Sequence, residues 1–166
     1  MQAELYEITP CPVGRLATMP RPRGGVWLKP ELASLVARGV TDVVSLLTPP
    51  EETQLELQAE PETCAELGLR LHRYPTHDGS IPQQPGFDSF VAPLVQVLRE
   101  GGFIAIHCRA GIGRASLMAA TLLSGVGVPA QDALVAISAA RGFDVPDTEE
   151  QYRFIVNLDH RRNPLS

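Results

Sequence analysis

The run FIAIHCRAGIGRASLMAATLLSG, residues 103–125, constrains this chain more than any other stretch. It begins as an uninterrupted apolar strand, passes through His107 and Cys108, and after a short glycine-containing turn becomes an apolar helix. A strand without polar alternation is buried on both faces, so helices must cover the sheet above and below it. A helix that follows at once is the crossover that such a sheet needs, which predicts a mostly parallel sheet with right-handed connections.

The rest of the chain reads in the same way. LYEI and RLATM, within the first 28 residues, are two short extended pieces joined by a turn. From Pro30, PELASLVARG sets Leu32, Leu35 and Val36 on one face and stops at Gly39, predicting a helix with proline at its first position. VTDVVSLLT is a short apolar strand. Thr48-Pro49-Pro50-Glu51 has the spacing of a capping box and opens a polar helical region through about Leu67, with an interruption expected near Pro61. In LGLRLHRYP, Leu69, Leu71 and Arg73 alternate with Arg70, His72 and Tyr74, as in a strand. Residues 75–86 hold three prolines and two glycines and form a loop. FDSFVAPLVQVLREGG, PAQDALVAISAARG and PDTEEQYRFIVNLDHRR each predict one helix. The expected fold class is α/β: one domain over residues 1–166, with a mostly parallel central sheet flanked by helices on both faces.

With 44% hydrophobic and 20% charged residues the chain has the balance of a globular protein, which argues against disorder and fibrous repeats. A net charge of −5 argues against binding a nucleic-acid backbone, which needs a basic face. The least charged stretch, 115–130, is broken by Ser, Gly and Pro and is too short to span a bilayer, so no integral membrane association is expected. MQAELYEITP has two glutamates and no apolar segment, so it does not read as a secretory signal. Cys11, Cys64 and Cys108 form no CxxC pair, which fits a reducing, cytoplasmic setting and offers no zinc site. No metal or cofactor is expected, and the oligomeric state is not specified.

In a parallel sheet, ligands bind where a strand feeds a helix, and Cys108 stands there. Gly111 and Gly113 let consecutive backbone N–H groups turn inward as an anion nest. The helix beginning near Arg114 adds its positive end, and the Arg114 guanidinium can clamp two oxygens of one phosphate. Such a field favours a thiolate, but a more stable thiolate is a weaker nucleophile. The loop therefore helps mainly by holding the charge on the equatorial oxygens during phosphoryl transfer and by making sulfur a good leaving group. A proton donor for the departing oxygen is available in Asp78, within the proline-rich loop YPTHDGSIP. Gln151, in VPDTEEQ, is a candidate to orient the attacking water of a second step.

His107, Cys108, Gly111 and Arg114 match HCxxGxxR, and the chain thereby resembles the cysteine-dependent protein tyrosine phosphatase superfamily. Asp78 precedes Cys108, the order of the tyrosine and dual-specificity branch. Together with PVGRLATMPRPRGG and residues 44–52, these features resemble small bacterial dual-specificity phosphatases related to the cyclin-dependent-kinase-inhibitor-associated type. The resemblance covers most of the chain. It implies a phosphocysteine mechanism with Cys108 as nucleophile, Arg114 as phosphate clamp, Asp78 as general acid and the backbone of residues 109–113 as cradle. It also implies a phosphorylated protein or other phosphate monoester as substrate; His107, by its place beside the cysteine, is read as orienting the loop from behind or as a buried histidine bonded to backbone. The hydroxyl residue of that family after the arginine is replaced by Ala115, with Ser116 one place later. In the family this hydroxyl stabilises the departing sulfur, so its loss bears on how fast the phosphocysteine is hydrolysed.

Other readings stay open at this stage. Ala115 also fits a catalytically weak phosphate-binding module, Arg109 gives thin support for an inositol phosphate substrate, and a reactive Cys108 fits sulfur transfer or oxyanion reduction. Arg15, Arg21, Arg23 and Lys29 form a basic stretch that is either a substrate-recruiting patch or a solvated loop. His77 is either a neighbour of the acid or a solvated histidine. Cys64, Trp27 and Tyr74 read as packing residues.

Overall fold

The computed structural model describes residues 2–83 and 85–162. Its sheet has the order β1-β2-β5-β3-β4, where β1 is Tyr6–Glu7, β2 Arg15–Met19, β3 Asp42–Ser45, β4 Arg70–Arg73 and β5 Phe103–His107. Only the β1–β2 pair is antiparallel; β2–β5, β5–β3 and β3–β4 are parallel. The apolar strand read from the sequence is thus central, with Met19 and Ser45 both in register with His107.

Side chains alternate across this sheet and feed two cores. Leu16, Val44, Ile104 and Ile106 pack with α4 (Phe87–Arg99), α5 (Arg114–Gly125), α6 (Ala130–Arg141) and α7 (Glu149–Val156). Ala17, Val43, Phe103 and Ala105 pack on the other face with α1 (Leu28–Ala37) and α3 (Glu60–Leu67). A short α2 (Pro49–Gln54) precedes α3, and α8 (Leu158–Arg162) follows α7. Helix α5 is buried from Arg114 through Ser124, as expected of a helix that is apolar all round. The edge strand β4 is tied to β3 at its base, where the fully buried Asp42 receives Arg70 Nη2 at 2.9 Å and meets His72 Nε2 at 2.8 Å.

Three element boundaries differ from the sequence reading. Helix α1 starts at Leu28, because a 3-10 turn over Gly25–Trp27 runs directly into it. Pro30 is tolerated in the first turn, where its missing N–H has no helical partner. The break between α2 and α3 falls at 55–59, and Pro61 lies inside the first turn of α3. The last expected helix is two, α7 and α8. At Asn157, the C-cap of α7, the backbone N and the side-chain Nδ2 both donate to the Arg153 carbonyl, at 3.2 and 2.9 Å.

The basic stretch is largely paired: Arg15 with Glu7, Arg23 with Glu31 and Lys29 with Glu66. Its charge is therefore mostly balanced locally. Trp27, expected to pack, is half exposed and carries the Arg23 guanidinium 4.8 Å above its ring. Cys64 is core as expected, its thiol pushed up to about 12 by burial and by nearby Glu60. No helix among the described residues is long and apolar enough to cross a membrane.

Candidate active site

Strand β5 carries Cys108 to the end of the sheet and leaves it buried, 3% exposed, at the foot of the loop 109–113. The path of that loop is fixed from outside. The Arg109 carbonyl accepts from Arg21 N at 3.0 Å, extending the β2–β5 pairing by one step. The Ala110 carbonyl accepts from Arg141 Nη2 at 3.4 Å, and the Gly113 carbonyl from Leu117 N at 3.1 Å, inside α5. None of the N–H groups of residues 109–113 donates to any acceptor among the described residues. Carbonyls bonded outward and amides left over are the pattern of an anion nest.

Two glycines make this path possible. Gly111 has φ +74, and a Cβ there would lie 2.6 Å from the backbone of Met19. Gly113, at the start of α5, would place a Cβ 2.8 Å from Gln151 Oε1 and 3.0 Å from Asp147 Oδ2. The first is needed for conformation and close approach, the second for close approach alone.

Arg114 is the largest side chain buried within the fold, 2% exposed. Its Nη1 donates to Glu51 Oε1 at 2.8 Å and to the Thr76 carbonyl at 2.9 Å, and its Nη2 to Glu51 Oε2 at 2.9 Å. Burial opposes its charge, but Glu51, Cys108 and Asp78 outweigh burial and raise its pKa. Nε is buried with no acceptor among the described residues, a donor left over on the same guanidinium. Glu51 was legible only as the acid of the Thr48 capping box, and it is that: Thr48 N donates to its Oε1 at 3.1 Å. Its second bond, to an arginine 63 residues away, has no local signal. Burial raises the Glu51 carboxyl, and Arg114 with Thr48 more than reverses this, holding it at about 2.

Asp78 reaches the same guanidinium, with Oδ1 3.4 Å from Arg114 Nη2 and its side chain 69% exposed. It sits at the tip of a turn closed by Ser80 N to the His77 carbonyl at 3.0 Å, with Gly79 at φ +77. His77 is exposed. Gln151 is fully buried beside Gly113; its Oε1 accepts from Thr148 N at 3.3 Å and its Nε2 donates to the Ser80 carbonyl at 3.2 Å.

Behind the loop, His107 Nε2 meets Glu60 Oε1 at 2.7 Å, and Nδ1 lies 3.2 Å from the Cys108 carbonyl. Burial opposes an imidazolium here, and the Glu60 charge and hydrogen bond outweigh it, raising the His107 pKa. Glu60 also escaped the sequence reading, where it was one of several polar residues of a helical segment. Arg109 turns away from the nest, bonding Gln54 Oε1 at 2.8 Å and approaching Glu51 at 3.6 Å. Ala110 is exposed and Ile112 half-buried, while Ala115 is fully buried in the same cluster as Cys108. Ser116 Oγ is buried without a hydrogen-bond partner among the described residues, so it does not bond the cysteine sulfur. The structure thus gathers the thiol, a donor-lined nest, an anchored guanidinium and a carboxyl on one rim. No group of metal-ligating side chains occurs among the described residues.

Comparison with known proteins bears on the family and the fold. Residues 17–127 match the family described as "Polymorphic toxin system, DSP-PTPase phosphatase". Cyclin-dependent kinase inhibitor 3 of Rattus norvegicus is 25% identical over 130 residues, covering 77% of this chain and 61% of the rat protein. The chain therefore spans less than two thirds of the length of the curated relatives it matches. Among solved structures, kinase associated phosphatase, with its catalytic-site cysteine replaced by serine, superposes with a TM-score of 0.86 at 18% identity. That match covers 100% of this chain and 98% of the other. Tk-PTP in its active form superposes with a TM-score of 0.72 at 26% identity, over 89% of this chain and 93% of that one.

Proposed function

The chain belongs to the DSP-PTPase phosphatase family of polymorphic toxin systems, and from that premise we propose that it hydrolyses phosphate monoesters through a phosphocysteine on Cys108. The observation that carries this reading is the loop: the carbonyls of Arg109 and Ala110 are bonded outward, and the amides of 109–113 have no acceptor among the described residues.

In the first step the Cys108 thiolate attacks phosphorus in line with the ester oxygen. The S–P bond forms, the P–O ester bond breaks, and Asp78 gives its proton to the departing oxygen. The three equatorial oxygens lie in the nest of N–H groups and against Arg114, where fixed donors meet the spread charge without reorganising. Water then attacks phosphorus, gives a proton to the Asp78 carboxylate, and displaces the Cys108 thiolate, releasing phosphate. Gln151 keeps one further donor and one further acceptor site beyond its bonds to Ser80 and Thr148, sufficient to orient that water. His107 supports the loop through the Cys108 carbonyl.

The substrate best supported is a phosphorylated protein, carrying phosphotyrosine or, in a dual-specificity enzyme, phosphoserine or phosphothreonine as well. Arg109, the extra cation of the loop, is engaged by Gln54 and Glu51. An inositol polyphosphate, which needs several free cations at the rim, is accordingly less well served. All three cysteines are unpaired, which fits a reducing cytoplasm.

The test is turnover of an aryl phosphate near pH 5 to 6, unaffected by chelators and abolished by Cys108→Ser. Full activity of that variant would end the proposal. A weak binding module would instead bind phosphate in the Cys108 loop without turnover.

A further inference from the structure

The turn that carries Asp78 is gripped from the far end of the chain. Thr148, the residue before α7, does two things with one hydroxyl. It accepts from Gln151 N at 3.2 Å, capping the helix, and donates to the Gly79 carbonyl at 3.1 Å. Gln151, the other half of that capping box, donates to the next carbonyl, Ser80, at 3.2 Å. Two consecutive carbonyls of the Asp78 turn are thus held by the two side chains of one helix start, 69 and 71 residues away. Gln151 also lies against Gly113 of the loop under Cys108, so the same side chain meets both walls of the site.

We propose that Thr148 is a positioning residue for the acid: by donating to Gly79 it fixes the turn, and hence the place of Asp78 over the bound ester. The inference rests on the phosphatase reading above. Asp78 itself needs such a hold, because its side chain is mostly solvated and its contact to Arg114 is a long one. A turn of this kind in a proline-rich loop has few other anchors: the Thr76 carbonyl binds Arg114, and Tyr74 Oη donates to the Gln83 carbonyl at 2.8 Å. Neither fixes the tip. A shift of about 1 Å at a proton donor is enough to lose most of its contribution.

The two uses of the hydroxyl can be separated by chemistry. Aspartate is among the best N-caps and accepts from Gln151 N, but an ionised carboxylate cannot donate to Gly79. Thr148→Asp therefore keeps the helix start and loses the bond to Gly79, leaving the turn to the Gln151 bond alone; Thr148→Ser keeps both the cap and the Gly79 bond; Thr148→Val loses both. The measurement is kcat/KM for two aryl phosphates, one releasing a phenol as weakly acidic as tyrosine and one releasing a nitrated, strongly acidic phenol that needs no proton.

The expected result is that Thr148→Asp and Thr148→Val lower kcat/KM about tenfold or more for the first ester and less than about twofold for the second. Thr148→Ser stays near wild type. An added charge at position 148 acts on the acid as well as on the ester, so Thr148→Val, which adds none, must show the same selectivity. Equal loss for both esters, or a Thr148→Asp variant as selective as wild type, overturns the proposal. If Thr148→Asp fails to fold, the Thr148→Val to Thr148→Ser ratio decides in the same way. Wild-type protein without Cys108-dependent turnover would instead be a failure of the phosphatase reading.

Discussion

Replacing Glu51 by Gln removes the charge opposite Arg114 while keeping its shape, and it tests the one side chain that belongs to both a helix cap and the site. The guanidinium would keep the Thr76 carbonyl and lose a charged, two-pronged partner, a loss of about 2 to 3 kcal/mol. Since the Glu51 carboxyl is held at about 2 against an ordinary 4.5, its contribution is present above pH 4.5 and disappears as pH falls through 2. Acid unfolding of Glu51→Gln should therefore be flatter over that window than wild type, as followed by circular dichroism. His107 has the opposite sign. Its pKa is raised, so the pair with Glu60 stabilises fully below the ordinary histidine value and fades as pH rises through the raised one. Glu52 adds to the same field. The gap in melting temperature between wild type and Glu60→Gln should be wide near pH 6 and narrow under alkaline conditions. Ala115 supplies a gain-of-function test: Ala115→Ser should raise kcat several-fold with little change in kcat/KM. Pre-steady-state bursts that shrink in the variant would show that sulfur release had been limiting, and an unchanged burst would show otherwise.

Elements built from local signals were legible, and those set by distant partners were not. The β5 strand, the α5 helix and the loop between them follow from an apolar run, two glycines and a helix-forming stretch, and they lie where the residues put them. The Thr48 capping box was readable, while the Arg114 bond of Glu51 depends on strand order rather than on neighbours in sequence. Thr148 has the S/T-x-x-Q spacing that could have marked it as a cap, but its bond to Gly79 could not be read from that spacing. At this scale Gly111→Ala is the informative change. The backbone there is left-handed and the added methyl would meet Met19 at 2.6 Å, so the nest must open. Activity should fall by about two orders of magnitude or more, as for loss of several oxyanion donors. Overall secondary structure should be retained, because the loop lies between two intact elements.

The whole molecule works as two apolar layers on one sheet, and the candidate site lies along the edge where both layers meet the strand ends. Its parts come from both sides: Glu51 and Glu60 from α2 and α3, Gln151 and Thr148 from α7, Asp78 from the loop after β4. Aromatic contacts tie that loop to the helices, with Tyr74 5.4 Å from Phe87 and 4.9 Å from Phe90, and Phe87 5.9 Å from Phe154. Phe87→Ala should cost about 3 to 5 kcal/mol in denaturant unfolding, and a smaller loss would mean that the surrounding rings close the gap. Unfolding should proceed in one transition, since no layer is complete without the sheet.

The outward carbonyls and unmatched amides of residues 109–113 carry a consequence for the energy of the entire chain. An oxyanion that meets those amides binds only the folded form, so it acts as a stabiliser whose strength is set by mass action. At a hundred times its dissociation constant it adds about 2.7 kcal/mol, a large part of the stability of an ordinary domain. Melting temperature thereby becomes a readout of occupancy, and every competing anion, substrate or product, can be ranked by how much heat the fold withstands in its presence.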